Sequence, residues 1–254
     1  MVTGAERLPG EPVWLELTTT DFDRSVAFYT GLFGWTPDAT RETLDGGTTM
    51  HLDRARVARI VPLPEDGWVV YLRTDDVVAT ATAVPAHGGR LELAPSVVRD
   101  LAMMAIATDP SGARVGFWEP ELHPGFEAED VPGAPTWFEL HTSDFAAAVP
   151  FYAEVAGWRP VSMGDSDGFR MVANGPPGTA QAGIYDATRS DLTDESMWMP
   201  YFAVDDADAA AARIRELGGS LLDELVDTPF GRLVHATDPL GTLFTIIRLP
   251  ERAP

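Results

Sequence analysis

Residues 12–37, PVWLELTTTDFDRSVAFYTGLFGWTP, and residues 135–160, PTWFELHTSDFAAAVPFYAEVAGWRP, are one passage written twice in constant register. Trp14/Trp137, Glu16/Glu139, Leu17/Leu140, Asp21/Asp144, Phe22/Phe145, Phe28/Phe151, Tyr29/Tyr152, Gly34/Gly157 and Trp35/Trp158 match without a gap. Such a repeat restricts the chain to two copies of one unit, whatever the local propensities say. Any site in one half then has a pseudo-symmetric counterpart in the other.

The rest of the chain follows the same duplication. Residues 13–19 alternate as a strand, and Asp21 is placed to cap a helix over about 22–33 that ends at Gly34. Pro150 in the second copy predicts a kink or a late start there. Short strands are expected at 48–53 and 56–62, then a strand at 68–73 and a helix opening at Asp75-Asp76 and stopping before Gly88-Gly89. Strands at 97–107 and 113–118 flank the turn Asp109-Pro-Ser-Gly112. The second half repeats this order with a strand at 198–204, a helix over 206–217 stopped by Gly218-Gly219, and the turn Asp238-Pro-Leu-Gly241. Each half therefore reads as βαβββ–βαβββ, an α+β arrangement. The expected boundaries are 12–119 and 135–250, joined by a Pro- and acid-rich linker at 120–134, with a polar loop at 186–196.

Composition removes several chemistries. There is no cysteine, which excludes disulfides, thiolate metal sites and a thiol nucleophile. All 18 basic residues are arginine, so a lysine Schiff base and a P-loop lysine are also excluded. The net charge of −21 argues against nucleic acid and anionic membranes as partners. No apolar run reaches membrane-spanning length, and residues 1–11 lack a secretory-leader pattern, so the expected location is the cytoplasm. No serine sits in a Gly-x-Ser-x-Gly elbow.

The string strand–D-F-x-x-(S/A)-V-x-F-Y–Gly-Trp, with Asp-Pro-x-Gly before a last strand, resembles the vicinal oxygen chelate superfamily. That group contains glyoxalase I, extradiol dioxygenases, and fosfomycin- and bleomycin-resistance proteins. The resemblance spans about 12–119 and 135–250 and is closest to the two-domain glyoxalase-like proteins common in actinobacteria. It implies two tandem domains, each of two βαβββ modules forming a cupped mixed sheet with helices outside. It does not fix the activity, because the fold hosts isomerases, oxygenases, transferases and binders.

Metal-using members present His, Gln or Glu from the first and last strand of each module. By the resemblance to bacterial glyoxalase I, those positions fall here on Trp14, Val69 and Gly116 in the first half, and on Trp137, Met199 and Thr245 in the second. None is a usual ligand for a divalent ion. The fourth position lies within 57–61 and 181–186, where Gln181 and Asp186 are the candidates. The expectation is no metal and no cofactor.

Period-two alternation then places Trp14, Glu16 and Thr18 on the cup face of one half, and Trp137, Glu139 and His141 on that of the other. Tyr71, Arg73 and Trp118 join the first cup; Tyr201 and Ile247 join the second. These apolar, aromatic pockets with a carboxylate in the floor suit a small organic ligand. Glu16, Glu139 and His141 are the catalytic candidates. A carboxylate in an apolar cup is expected to have a raised pKa and to serve as acid or base. The competing reading is that each glutamate accepts a hydrogen bond from a tyrosine or arginine and braces the fold. His141 replaces Thr18 and so breaks the symmetry. His235 stands at the position of Ile106, and the sequence leaves open which way it faces.

Two functions follow. One is a metal-independent cup that binds a hydrophobic or aromatic molecule, as in sequestration or resistance. The other is a metal-free isomerase, cyclase, lyase or hydroxylase-type enzyme using a cup carboxylate as base. A metal-dependent glyoxalase or dioxygenase with unusual ligands is a third reading. A monomer is expected, with a homodimer as the alternative, because the fused copies supply the pairing that single-domain relatives obtain by dimerising.

Overall fold

The computed structural model describes residues 7–38, 46–190 and 192–250. The reading of residues 1–6 as part of a leaderless segment and of Asp191 as part of a polar loop lies outside these. Domain 1 runs β1 (Pro12–Thr19), α1 (Phe22–Phe33), β2 (Thr36–Pro37), β3 (Thr48–Leu52), β4 (Ala55–Pro62), β5 (Gly67–Arg73), α2 (Val77–Ala86), β6 (Arg90–Val98), β7 (Ala102–Thr108) and β8 (Arg114–Pro120). Domain 2 repeats this as β9 (Pro135–Thr142), α3 (Phe145–Val155), β10 (Val161–Ser166), β11 (Phe169–Ala173), β12 (Ala182–Asp186), β13 (Met197–Ala203), α4 (Ala207–Glu216), β14 (Ser220–Leu221), β15 (Val226–Thr228), β16 (Gly231–Thr237) and β17 (Leu243–Arg248).

The strand order is β2-β3-β4-β1-β5-β8-β7-β6 in one sheet and β10-β11-β12-β9-β13-β17-β16-β14 in the other, where β15 pairs with β16. The first strands of the two modules, β1 with β5 and β9 with β13, pair antiparallel at the centre of each sheet. This is an α+β fold of two tandem βαβββ pairs. All four helices begin alike: Asp21, Asp76, Asp144 and Asp206 each accept from the backbone N–H three residues on.

Two local expectations change. The strand expected at 97–107 is split, because Arg99 takes φ 51° and turns β6 back onto β7. Helix α3 starts directly after Asp144, in the same register as α1. The aspartate cap sets that start, so Pro150 in the interior does not delay it.

Alternation along the central strands separates two environments. Leu15, Leu17, Val70, Leu72, Phe138, Leu140, Phe202 and Ile246 join one continuous core shared by both domains and their helices. The repeat motif builds that junction. Phe33 of α1 packs on Phe202 with centroids 4.8 Å apart, and Phe28 lies 6.0 Å from Phe244. Tyr29 donates to Asp238 Oδ2 (3.3 Å) and Tyr152 to Asp109 Oδ2 (3.0 Å), each reaching the Asp-Pro-x-Gly turn of the other domain. Trp35 Nε1 donates to the Gly133 carbonyl and Trp158 Nε1 to that of Gly10. The matched F-Y…G-W residues are thus reciprocal fasteners between the copies.

Candidate functional site

The opposite faces of the two sheets form two unlike cups. In cup 1, Trp14, Val69, Tyr71, Ala102, Ile106 and Trp118 make a closed apolar cluster. Glu16 lies on its floor, accepting from Arg59 Nη1 (3.1 Å) and from the Tyr71 hydroxyl (3.3 Å). Thr18 donates to the Gly67 carbonyl, and Arg73 pairs with Asp75 instead of reaching Glu16.

Residues 120–134, read from composition as a linker, cover this cup. His123 sits edge-on to Trp14 and Trp118, with ring centroids 4.4 and 5.5 Å away, and its carbonyl accepts from Trp118 Nε1. Phe126 packs between Trp14 and Phe138, and its N–H bonds to the Val13 carbonyl. Gly125 makes that approach feasible: its φ is 129°, and a Cβ there would stand 2.4 Å from the Val13 oxygen. Glu127 fastens the strap with a two-pronged contact to Arg56. Trp14, Tyr71 and Trp118, expected to line a ligand pocket, are instead covered by the chain itself.

Cup 2 is polar where cup 1 is apolar. Glu139 Oε1 accepts from His141 Nε2 (2.8 Å) and the Tyr201 hydroxyl (3.1 Å), while Oε2 accepts from Trp137 Nε1 (3.2 Å). Register pairs Glu16 with Arg59 but Glu139 with Gly183, so no guanidinium stands there. The glycine lets Trp137 and Met171 close in over the strand, since a Cβ would meet Met171 Cε at 2.3 Å. Tyr185 takes the place of Val61, beside His141 with ring centroids 5.2 Å apart. His235 pairs with Thr245 where Ile106 pairs with Gly116, so it faces the cup. Its Nδ1 lies 2.7 Å from the Thr245 hydroxyl, and its ring lies 6.2 Å from those of both His141 and Tyr201. Met199, Tyr201 and Ile247, with Leu192, Leu233 and Leu243, supply the apolar walls.

The electrostatics correct one expectation. Burial would raise the Glu139 carboxyl, but the hydrogen bond and charge of His141 and the Trp137 donor hold it below its ordinary value. Glu139 is therefore a carboxylate engaged by three donors, with little capacity left to act as a base. Burial, and then the charge of Glu139, raise the Tyr201 hydroxyl well above its ordinary value. Burial lowers the His235 imidazole, although Asp223 and Glu139 oppose that shift.

The positions that would carry a metal hold Trp137, Met199 and Thr245. Gln181, one residue before the Ala182–Phe138 pair, has a buried side-chain oxygen without a partner. Asp186 is spent on Thr188, capping the short helical turn Ala187–Arg189. Among the described residues, no group of three His, Asp or Glu side chains could hold a metal ion. One amide oxygen among tryptophan, methionine and threonine does not fit a resident divalent ion.

A groove of about 390 Å³ also runs between the domains, lined by Trp68, Trp198, Arg114, Glu195 and Thr242 among others. Neither cup carboxylate lines it, and Arg114 is tied to Glu65 and Glu92. The chemistry therefore gathers in cup 2.

The family model of the Glyoxalase/Bleomycin resistance protein/Dioxygenase superfamily matches residues 12–117 and 135–246. The chain belongs to this superfamily. Among its relatives is the anthracycline biosynthesis protein DnrV of Streptomyces peucetius, 35% identical over 97% of this chain and 96% of that protein. The fold is shared with the Mn(II)-bound glyoxalase from Novosphingobium aromaticivorans, at TM-score 0.65 and 17% identity over 94% of this chain and 82% of that one. It is also shared with the 2,3-dioxygenase LapB from Pseudomonas sp. KL28, at TM-score 0.68 and 13% identity over 97% of this chain and 96% of that one.

Sequence reasoning missed Tyr185, weighed Thr245 only as a poor metal ligand, missed Asp223 and left His235 undecided. Each of the first two, like His235, occupies a cup-face position at which the two copies differ. Among the described residues, no helix is long and apolar enough to cross a membrane.

Proposed function

We propose that this superfamily member binds one neutral, apolar aromatic molecule per chain, in cup 2, without a resident divalent ion. The observation that carries this is the asymmetry of the cups. Cup 1 is filled by His123 and Phe126, and its carboxylate is neutralised by Arg59. Cup 2 keeps an aromatic and thioether lining around a small polar cluster. The relationship to an anthracycline biosynthesis protein supports a planar aromatic ligand. The missing guanidinium at Gly183 disfavours carboxylates and phosphates. We also read the chain as a monomer, because each domain's fasteners are satisfied by the other; sedimentation at two concentrations tests this.

The direct test uses 1-hydroxyanthraquinone, followed by tryptophan quenching, with Gly183→Arg as the variant. The new guanidinium would stand opposite Glu139, as Arg59 stands opposite Glu16. Wild type should bind at one probe per chain; Gly183→Arg, whose new Cβ displaces the Met171 and Trp137 side chains, should abolish binding, with circular dichroism checking that the sheet survives the displacement. Unchanged binding by the variant would rule out cup 2. Native mass spectrometry of protein purified without added metal should show no divalent ion; a stoichiometric ion would overturn the metal-free reading.

A further inference from the structure

Cup 2 holds more polar machinery than binding an apolar ring requires. The Tyr201 hydroxyl hydrogen is committed to Glu139, so its oxygen is free to accept. Thr245 is the strand partner of Tyr201, and its hydroxyl lies 2.7 Å from His235 Nδ1. A proton on Nδ1 is donated to the Thr245 hydroxyl, whose own hydrogen then turns towards Tyr201 and the ionised Glu139. That direction leaves His235 Nε2 with an unused lone pair. The nearest recorded acceptor for a proton there is Asp223, at 3.9 Å, beyond hydrogen-bond range. It is close enough to steady an imidazolium once one forms.

We propose that His235, through Nε2, is the base of cup 2, removing a proton from the carbon next to the carbonyl of an enolisable aromatic ketone. Glu139, Tyr201 and Thr245 are positioning residues that fix its tautomer. The inference rests on the reading of cup 2 as an aromatic site. In the step, the C–H bond breaks and its proton moves to Nε2. The electron pair forms the C=C bond of the enolate, and the imidazolium returns a proton to carbon or oxygen. The net change is keto–enol tautomerisation, or isotope exchange in deuterated water, and no oxidant is consumed. Burial keeps the imidazole neutral and able to accept. The groups facing it are Asp223, Glu139, His141, Tyr201 and Thr245. The class of substrate follows from the lining. Trp137 and Tyr185 offer flat faces, Met171, Met199 and Ile247 offer apolar walls, and Arg170 and Arg189 pair with Asp165 and Asp186.

Two measurements test this. Nitrogen-15 spectra of protein labelled in its histidines, assigned with His235→Gln, should show His235 protonated at Nδ1 at neutral pH. Thr245→Val should release it towards the Nε2–H form. A wild-type His235 protonated at Nε2 overturns the proposal. The second measurement follows deuterium exchange at C1 of 2-tetralone by proton NMR. Wild type should exceed buffer by on the order of 100-fold, His235→Gln should fall to background, and Thr245→Val should slow exchange about 10-fold with probe affinity unchanged. If 2-tetralone fails to quench tryptophan fluorescence, the binding reading fails and the base with it. Binding without exchange, or equal exchange by His235→Gln, sinks the base alone.

Discussion

Acid should loosen the strap over cup 1, and His123 sets by how much. Its ring is 4% exposed, lies against Trp14 and Trp118, and has no hydrogen-bond partner at either nitrogen among the described residues. Burial, reinforced by the Arg56 charge and opposed by Glu127, lowers its pKa from 6.5 to about 4. The unfolded chain therefore binds a proton below about pH 6.5 that the folded protein refuses until about pH 4. Stability is fully present above the unfolded value and is lost as pH falls between the two. At pH 4.5 this linkage amounts to about 2–3 kcal/mol, and below pH 4 it levels off at about 3 kcal/mol. The control is His123→Phe, which keeps a ring of similar size in the cup and removes the titration. Urea unfolding at pH 7, 5.5 and 4.5 should show the wild type losing about 2–3 kcal/mol more than the variant across that range. At pH 7 the variant should be at least as stable, because two unpartnered buried nitrogens are gone. Equal pH dependence of the two proteins would refute the buried neutral histidine, and with it the strap as a sealed plug.

Other perturbations separate bracing from chemistry. Tyr152→Phe strands Asp109 Oδ2 and Trp198 Nε1 in the interface, and should cost about 1–3 kcal/mol in urea melts. Gly125→Ala forces a Cβ against the Val13 oxygen at positive φ; it should cost about 1–3 kcal/mol and raise acrylamide quenching of tryptophan as Trp14 is uncovered. Glu16→Gln should leave 1-hydroxyanthraquinone binding unchanged, whereas Glu139→Gln should weaken it about 10-fold, roughly one lost charge-assisted hydrogen bond. Equal effects of the two substitutions would mean that the cups are equivalent.

The fold was legible because its determinants are local and repeated. Four aspartates cap four helices, glycine and Asp-Pro-x-Gly turns punctuate the strands, and alternation on β1 and β9 separates core from cup. The strap was not legible from composition. Its Pro, Gly and acidic residues read as a spacer, and nothing local in His123 or Phe126 says that Trp14 waits across the sheet. Such contacts depend on how far β8 carries the chain past β1, which is a tertiary quantity. Likewise, the shift of Glu139 could not be read from its apolar neighbours, because it depends on His141 Nε2 and Trp137 Nε1 turning onto the carboxylate, and strand alternation fixes the face of a side chain but not its rotamer.

The cups also show where a duplicated chain keeps its chemistry. Positions that match in both copies are held by what both copies need, and here that is the junction: Tyr29 with Tyr152, Trp35 with Trp158. Glu16 and Glu139 match as well, and each accepts from a tyrosine of the adjacent strand, so their shared duty is bracing. The cup faces differ where Thr18, Arg59, Val61, Ile106 and Gly116 stand against His141, Gly183, Tyr185, His235 and Thr245. These exchanges are coupled physically. Removing the arginine leaves the Glu139 carboxylate needing donors, and His141 and Trp137 supply them. Thr245 brings a hydroxyl to the strand position where Gly116 has none, and that hydroxyl gives His235 its partner. A lone histidine at any of these places would be a buried polar group without compensation. Together they form a network around one carboxylate that leaves His141 Nδ1 without a hydrogen-bond partner among the described residues, and the differences between the copies, more than their likeness, locate the candidate site.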